Sequence, residues 1–433
     1  MTHNLVFRDA VLFTPGGRVE GDLRVEDGRI VEIGTVSGAA AASVEVDGRW
    51  LWPGAVDGHV HFRDPGAPHK EDFGSGSAAA VAGGVTTVFE MPNTNPTTTT
   101  VARLEEKRAI AREKSHCNWG LFFGANPANL DEARRATNVA GLKIFMGCST
   151  GDLLVYEEAE LEKIFAGYEG RICVHAESEL RLREREALFA GRDDPAVHSE
   201  IRDPEAAAEA VRTAARLAAK YQRHLHVLHL STGAELEAIA ASGADVTCEV
   251  CPHHLFFNTD AYEPWGTFVR MNPPLRAEED RALMWRALSD GRIDMIATDH
   301  APHTADEKSR PYRQAPSGVP GVETMLPLML DAAARGLCAY EQVLEWLCHA
   351  PARVYGVEAR HHLELGNWAD LVVIDPNATR EVRDEDQHSR CKWSPWTGRI
   401  LKGVVSATYV NGTLAFDGKA VIDTTRGREV TFS

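Results

Sequence analysis

Eight short apolar runs recur between residues 55 and 300, most of them separated by segments of helical character, and this alternation limits the fold more than any other feature of the chain. The runs are AVDGHVHF, VTTVFEM, NWGLFFG, GLKIFM, RICVHAE, LHVLHLS, DVTCEV and IDMIATDH. Runs of this length with little polar alternation suit strands buried on both faces, as in a parallel sheet covered by helices. The intervening text includes VARLEEKRAIAREK and PEAAAEAVRTAARLAAKY. The second opens with Asp203 as its cap and Pro204 in its first turn, and Ala207, Val211, Ala214, Ala218 and Tyr221 keep the spacing of one buried helical face. Eight such units over roughly 300 residues predict a closed (β/α)8 barrel of the TIM type, with a doubly wound open sheet as the alternative.

The two ends read differently. NLVFRDAVLF, DLRVEDGRIVEIG and SVEVDGRWLW near the start, and ADLVVIDP and VVSATYVNGTLAF near the end, are strand text punctuated by Asp-Gly and Asn-Gly turns. They predict one small β-sandwich domain assembled from both termini, over residues 1–52 and 366–433, around a barrel over 53–365.

A net charge of −17 argues against general affinity for nucleic acid or an anionic membrane, and points to a small-molecule partner. The early Arg and Asp in MTHNLVFRDAVLF interrupt any signal-peptide core, and no stretch approaches the ~20 apolar residues of a membrane span, so the expected location is cytoplasmic. The eight cysteines are irregularly placed, against a disulfide framework. Cys248 and Cys251, three apart on a strand, would face opposite sides, and buried thiols are the expectation for both.

Active residues of a barrel sit at the C-terminal ends of its strands. His59 and His61 leave the first strand on the same face; Lys143 lies in the fourth, His175 and His229 end the fifth and sixth, and Asp299 closes the eighth. Each alone has an ordinary reading as a satisfied core or surface residue. Together they suit a pair of borderline cations such as zinc, which held close together also need a bridging anion. A buried lysine has a depressed pKa, and its neutral amine can take up carbon dioxide to form a carbamate with two oxygens and a negative charge. The alternative is an amine that reaches the rim to pair with an acid or with substrate.

The segments GAVDGHVHFRDPG, EMPNTNP, GLKIFMG, VHAESE, HLSTG, CEVCPHHL, MNPPLR and TDHAPH, in this order, resemble the amidohydrolase superfamily and, within it, the dihydroorotases. The flanking β segments are similar to the superfamily's composite small domain. The resemblance implies two Zn2+ per chain: His59, His61 and Asp299 hold one, His175 and His229 the other, and carbamylated Lys143 bridges them. It implies that Arg63, Asn93, Asn272 and His303 receive the carboxylate and ring of dihydroorotate or carbamoyl aspartate. A guanidinium fork suits a carboxylate. Against these roles stand a rim salt bridge for Arg63, loop-forming asparagines beside their prolines, and a solvated His303. The implied chemistry is reversible ring hydrolysis by activated water, with Asp299 first as base and then as acid. A hydantoinase or allantoinase, and a non-catalytic scaffold for a transcarbamoylase, are the competing expectations. The resemblance also leaves room for a homodimer and for association with aspartate transcarbamoylase. Cys148 and Cys251 stand where other small residues are common in such motifs. The loop over residues 300–321 reads equally as a substrate lid or a connector.

Overall fold

The computed structural model describes residues 4–38, 40–147 and 152–433; Cys148 lies outside them. Eight parallel strands form the barrel: Ala55–Val60, Val85–Glu90, Asn118–Leu121 continued by Phe123–Gly124, Leu142–Phe145, Ile172–His175, Leu225–Leu230, Val246–Val250 and Met295–Ile296. Each pairs with the next in order. Closure comes from a parallel bridge between Val60 and His300, with the His61 N–H donating to the His300 carbonyl at 2.8 Å. The open doubly wound alternative is therefore excluded.

The eighth strand is shorter than its apolar run suggests. At Thr298 a side chain interrupts the ladder, because the Asp57 carboxylate accepts from both the Thr298 N–H, at 2.9 Å, and the Thr298 hydroxyl, between the Ala297 N–H bond to Val250 and the His300 bridge. That buried anchor precedes a left-handed turn at Asp299, whose φ is 48°. The helix Pro204–Tyr221 forms as its pattern requires, with the Asp203 carboxylate accepting from the Ala206 N–H at 3.1 Å. Its residues Ala207, Val211, Ala214 and Ala218 are buried against the barrel.

The small domain is one sheet of eight strands, in the order Thr413–Phe416, Ile400–Val410, Leu371–Glu381, Trp50–Pro53, Asn4–Thr14, Gly17–Glu26 and Arg29–Gly34, with Ala42–Glu45 added beside Asn4–Thr14. The two ends of the chain meet where Leu371–Ile374 pairs antiparallel with Trp50–Pro53. Phe7, Leu23, Ile30, Leu51, Leu371 and Tyr409, drawn from strands across the whole sheet, share one core, so the sheet wraps around it as a small sandwich. The Asp27-Gly28 and Asn411-Gly412 turns have positive φ at both residues, the reason those pairs favour tight hairpins.

Inside the barrel a separate core of Val56, Phe89, Phe122, Leu228, Met295 and Tyr355 fills the space beneath the histidine-bearing strand ends. The chain's last residues help close this end, with Phe432 packing edge-on against Phe89 at 5.2 Å. Among the described residues no helix is long and apolar enough to cross a membrane.

Candidate metal centre

The strand ends bring together six side chains that lie up to 240 positions apart. His59 and His61 converge on one oxygen of Asp299, their Nε2 atoms lying 3.2 Å and 2.9 Å from Oδ1. Across the mouth, His175 Nδ1 lies 2.9 Å from His229 Nε2. The His59 and His229 rings are 5.3 Å apart, which joins the two groups. His229 and Asp299 both hold left-handed backbone, with φ of 40° and 48°, as does Arg63 at 61°. Such conformations are uncommon outside glycine and persist where the surroundings enforce them, often at active sites.

Lys143 completes the ring. It is fully buried, its Nζ has no hydrogen-bond partner among the described residues, and it sits 4.5 Å from the centre of the Phe145 ring. Burial pulls its pKa down to about 8, against the opposing pull of Asp299. Burial likewise lowers His61 to about 4 and His229 well below the ordinary histidine value, which favours forms of these two rings that carry free lone pairs. Burial alone would raise Asp299, but His59 and His61 outweigh it and hold the carboxyl well below its usual range. His59, His229 and Asp299 offer donor atoms within 4.8 Å of one another. Imidazole nitrogens, an ionised carboxylate and an unpartnered buried amine are a donor set that fits divalent cations.

Outer partners orient these rings. Glu249 Oε1 accepts from His59 Nδ1 at 2.7 Å, Asn93 Oδ1 from His61 Nδ1 at 2.8 Å, and Glu177 Oε2 from His175 Nε2 at 3.0 Å. In each case the nitrogen turned toward the centre is left as the ligand atom. Glu249 and Glu177 were not singled out by the sequence reading. The available signals were an acidic residue inside the apolar run DVTCEV and another directly after VHA.

All ten residues singled out from the sequence line one cavity of about 350 Å³: His59, His61, Lys143, His175, His229, Asp299, Arg63, Asn93, Asn272 and His303. Their surroundings differ from expectation in detail. Asn93 serves first as the partner of His61. Asn272 Oδ1 lies 2.9 Å from His198 Nε2. His303 is a buried member of the wall and is no solvated loop residue. The Lys70 ammonium lies 3.0 Å from His303 Nδ1, while His303 Nε2 lies 3.0 Å from the Ser317 carbonyl and 3.3 Å from Arg63 Nη2. Arg63 donates through Nε to the Pro302 carbonyl at 3.3 Å, and its Nη2, 3.3 Å from His303 Nε2, lies in the cavity wall.

The loop over 300–321 supplies one side of the mouth, including Ala315, Pro316 and Ser317. Buried Lys308 staples it by donating to the carbonyls of Arg270 at 2.9 Å, Pro316 at 3.0 Å and Gly318 at 2.9 Å. A neighbouring cavity of about 650 Å³ shares Arg63, Asn93 and His303 and is bordered by Lys70 and Arg103. Cys248 and Cys251 are both buried thiols, and Cys251, one residue past its strand, lies beside His253 and His254.

The model of the amidohydrolase family matches residues 50–415. The chain is similar to the dihydroorotase of Halobacterium salinarum, at 43% identity over 96% of this chain and 97% of that one. It is also similar to the allantoinase of Streptomyces avermitilis, at 34% identity over 94% of each chain. Among solved structures, the L-hydantoinase (dihydropyrimidinase) of Arthrobacter aurescens superposes with a TM-score of 0.94 at 30% identity, over 99% of this chain and 100% of that one.

Proposed function

The chain belongs to the amidohydrolase family, and we propose that it is a dihydroorotase, opening dihydroorotate to N-carbamoyl-L-aspartate and closing it again with two zinc ions joined by carbamylated Lys143. The reverse direction builds a pyrimidine ring. One observation carries the reading: two imidazole pairs, an ionised carboxylate and an unpartnered buried lysine share a single cavity with a guanidinium.

In this reading His59, His61 and Asp299 would hold one ion and His175 and His229 the other. When bound, the ions lower the pKa of a water from 15.7 to about 7 and polarise the ring carbonyl. The chain's own residues do the rest. Arg63 pairs with the substrate carboxylate and sets the ring amide toward Asp299. Asp299 turns Oδ1 toward the Nε2 atoms of His59 and His61, where the ion would sit, which leaves Oδ2 to take the proton from water as its oxygen bonds to the amide carbon. As the carbon–nitrogen bond breaks, Oδ2 returns that proton to the departing nitrogen, and the new carboxyl releases its own proton to solvent. Asn93 keeps His61 in the required tautomer, and Lys70 and Arg63 hold the His303 ring in the cavity wall.

The test is turnover by the purified, zinc-loaded protein on dihydroorotate, hydantoin and allantoin. We expect dihydroorotate to be preferred by about 100-fold or more in kcat/KM, because only it brings a carboxylate to Arg63. Preference for either of the others would assign the chain to hydantoinase or allantoinase chemistry, a reading favoured by the likeness to the two proteins above. Zinc retention without turnover of any of the three would leave the scaffold role.

A further inference from the structure

The four histidines at the centre do not receive equal support from behind. His59 is backed by the Glu249 carboxylate, which also accepts from His226 Nε2 at 3.2 Å. His226 is itself set by the Thr247 hydroxyl, 2.8 Å from its Nδ1, so both groups facing Glu249 are imidazole nitrogens. Among the described residues no lysine or arginine pairs with Glu249, and the side chain is fully buried, so its charge is felt by whatever His59 holds. His175 is also backed by a carboxylate, but Glu177 is gripped by Arg202 through both Nε, at 3.1 Å, and Nη2, which cancels its charge. His229 Nδ1 has no hydrogen-bond partner among the described residues. His61 has a neutral amide.

We infer that the two ion positions bind with unequal strength, and that Glu249 is the positioning residue that makes the His59, His61 and Asp299 position the tighter. The inference rests on the two-ion reading above and deepens it. Outer carboxylates of this kind fix the tautomer of a ligating histidine and raise its basicity, and losing one lowers metal affinity by about 10 to 100-fold. Two anions, Asp299 and Glu249, act at the first position. At the second, the one outer carboxylate is neutralised. The His175 and His229 position is then the exchangeable one.

Protein loaded with about two equivalents of zinc is dialysed against rising dipicolinate, and zinc per chain is read by atomic emission. Release should come in two steps, with about one equivalent held over at least a further tenfold range of chelator. His229→Ala should abolish the early step and keep the late one. Glu249→Gln, checked for folding by circular dichroism, should move the late step to lower chelator by about tenfold or more, whereas Glu177→Gln should move only the early step. One-step release by the unaltered protein, or a late step unmoved by Glu249→Gln, overturns the inference. Should Glu249→Gln fail to fold, the unaltered protein and His229→Ala decide it. Zinc lost to buffer alone, with no chelator, overturns the two-ion reading instead.

Discussion

Replacing Lys143 with methionine should shift stability in opposite directions with and without metal. The side chain is fully buried, its amine is unpartnered among the described residues, and burial lowers its pKa from 10.5 to about 8. At about 1.4 kcal/mol per unit, the metal-free fold carries a disadvantage of about 3 kcal/mol when this amine is charged. The folded pKa lies below the unfolded one, so between about pH 8 and pH 10.5 the unfolded chain binds the extra proton and stability rises with pH. The disadvantage is therefore complete at pH 7 and gone by about pH 10.5. Methionine keeps much of the volume and carries no charge. Chelator-stripped Lys143→Met should be more stable than the stripped parent by about 3 kcal/mol at pH 7, with the gap shrinking toward pH 10.5. In zinc the order should reverse, because the variant loses the bridge and with it the ions. Thermal melts of stripped and zinc-loaded protein at pH 7 and pH 10 measure both. A stripped variant that melts below the stripped parent at pH 7, or a gap that ignores pH, would show that the buried amine is not disfavoured, and the route to a carbamate would lose its physical basis.

Three further outcomes follow from the same cavity. Arg63→Gln should reduce kcat/KM for dihydroorotate by about 30-fold or more, mainly through KM, with zinc content unchanged, since a desolvated charge pair is worth about 2 to 5 kcal/mol; steady-state kinetics beside metal analysis reads both. Asp299→Asn removes the proton carrier and should cut kcat by about 100-fold or more even in molecules that keep their zinc, measured on protein with metal content determined in parallel. Lys308→Met takes one donor from three carbonyls, so limited proteolysis should cut within residues 300–321 faster than in the parent, and KM should rise several-fold. Unchanged proteolysis would remove the staple from the account.

Much of the site was legible because its signals are local. His59 and His61 share a face by the period of a strand, and Asp203 and Pro204 mark a helix start whatever surrounds them. The apolar run around Lys143 already marks its burial. Glu249 and His226 were not legible, since an acid or a histidine in an apolar run has no meaning until a partner is known. Nor was the role of Asn93, whose Oδ1 turns to His61 across 32 positions. His303 shows the same limit: its place at the site could be read, but its contacts with Lys70 and Arg63 could not.

The order of strands and helices, their approximate lengths and the residues at the strand ends were determined by the sequence alone, because hydrophobic period and capping act over a few neighbouring residues. Only the tertiary structure decided which carboxylate stands behind which histidine. Glu249 lies 190 positions from His59, and no local pattern relates them until the barrel closes and a side chain of its seventh strand meets one of its first inside it. In that dry interior a charge with no counter-charge keeps its effect, so the balance between the two ion positions is a property of the closed fold.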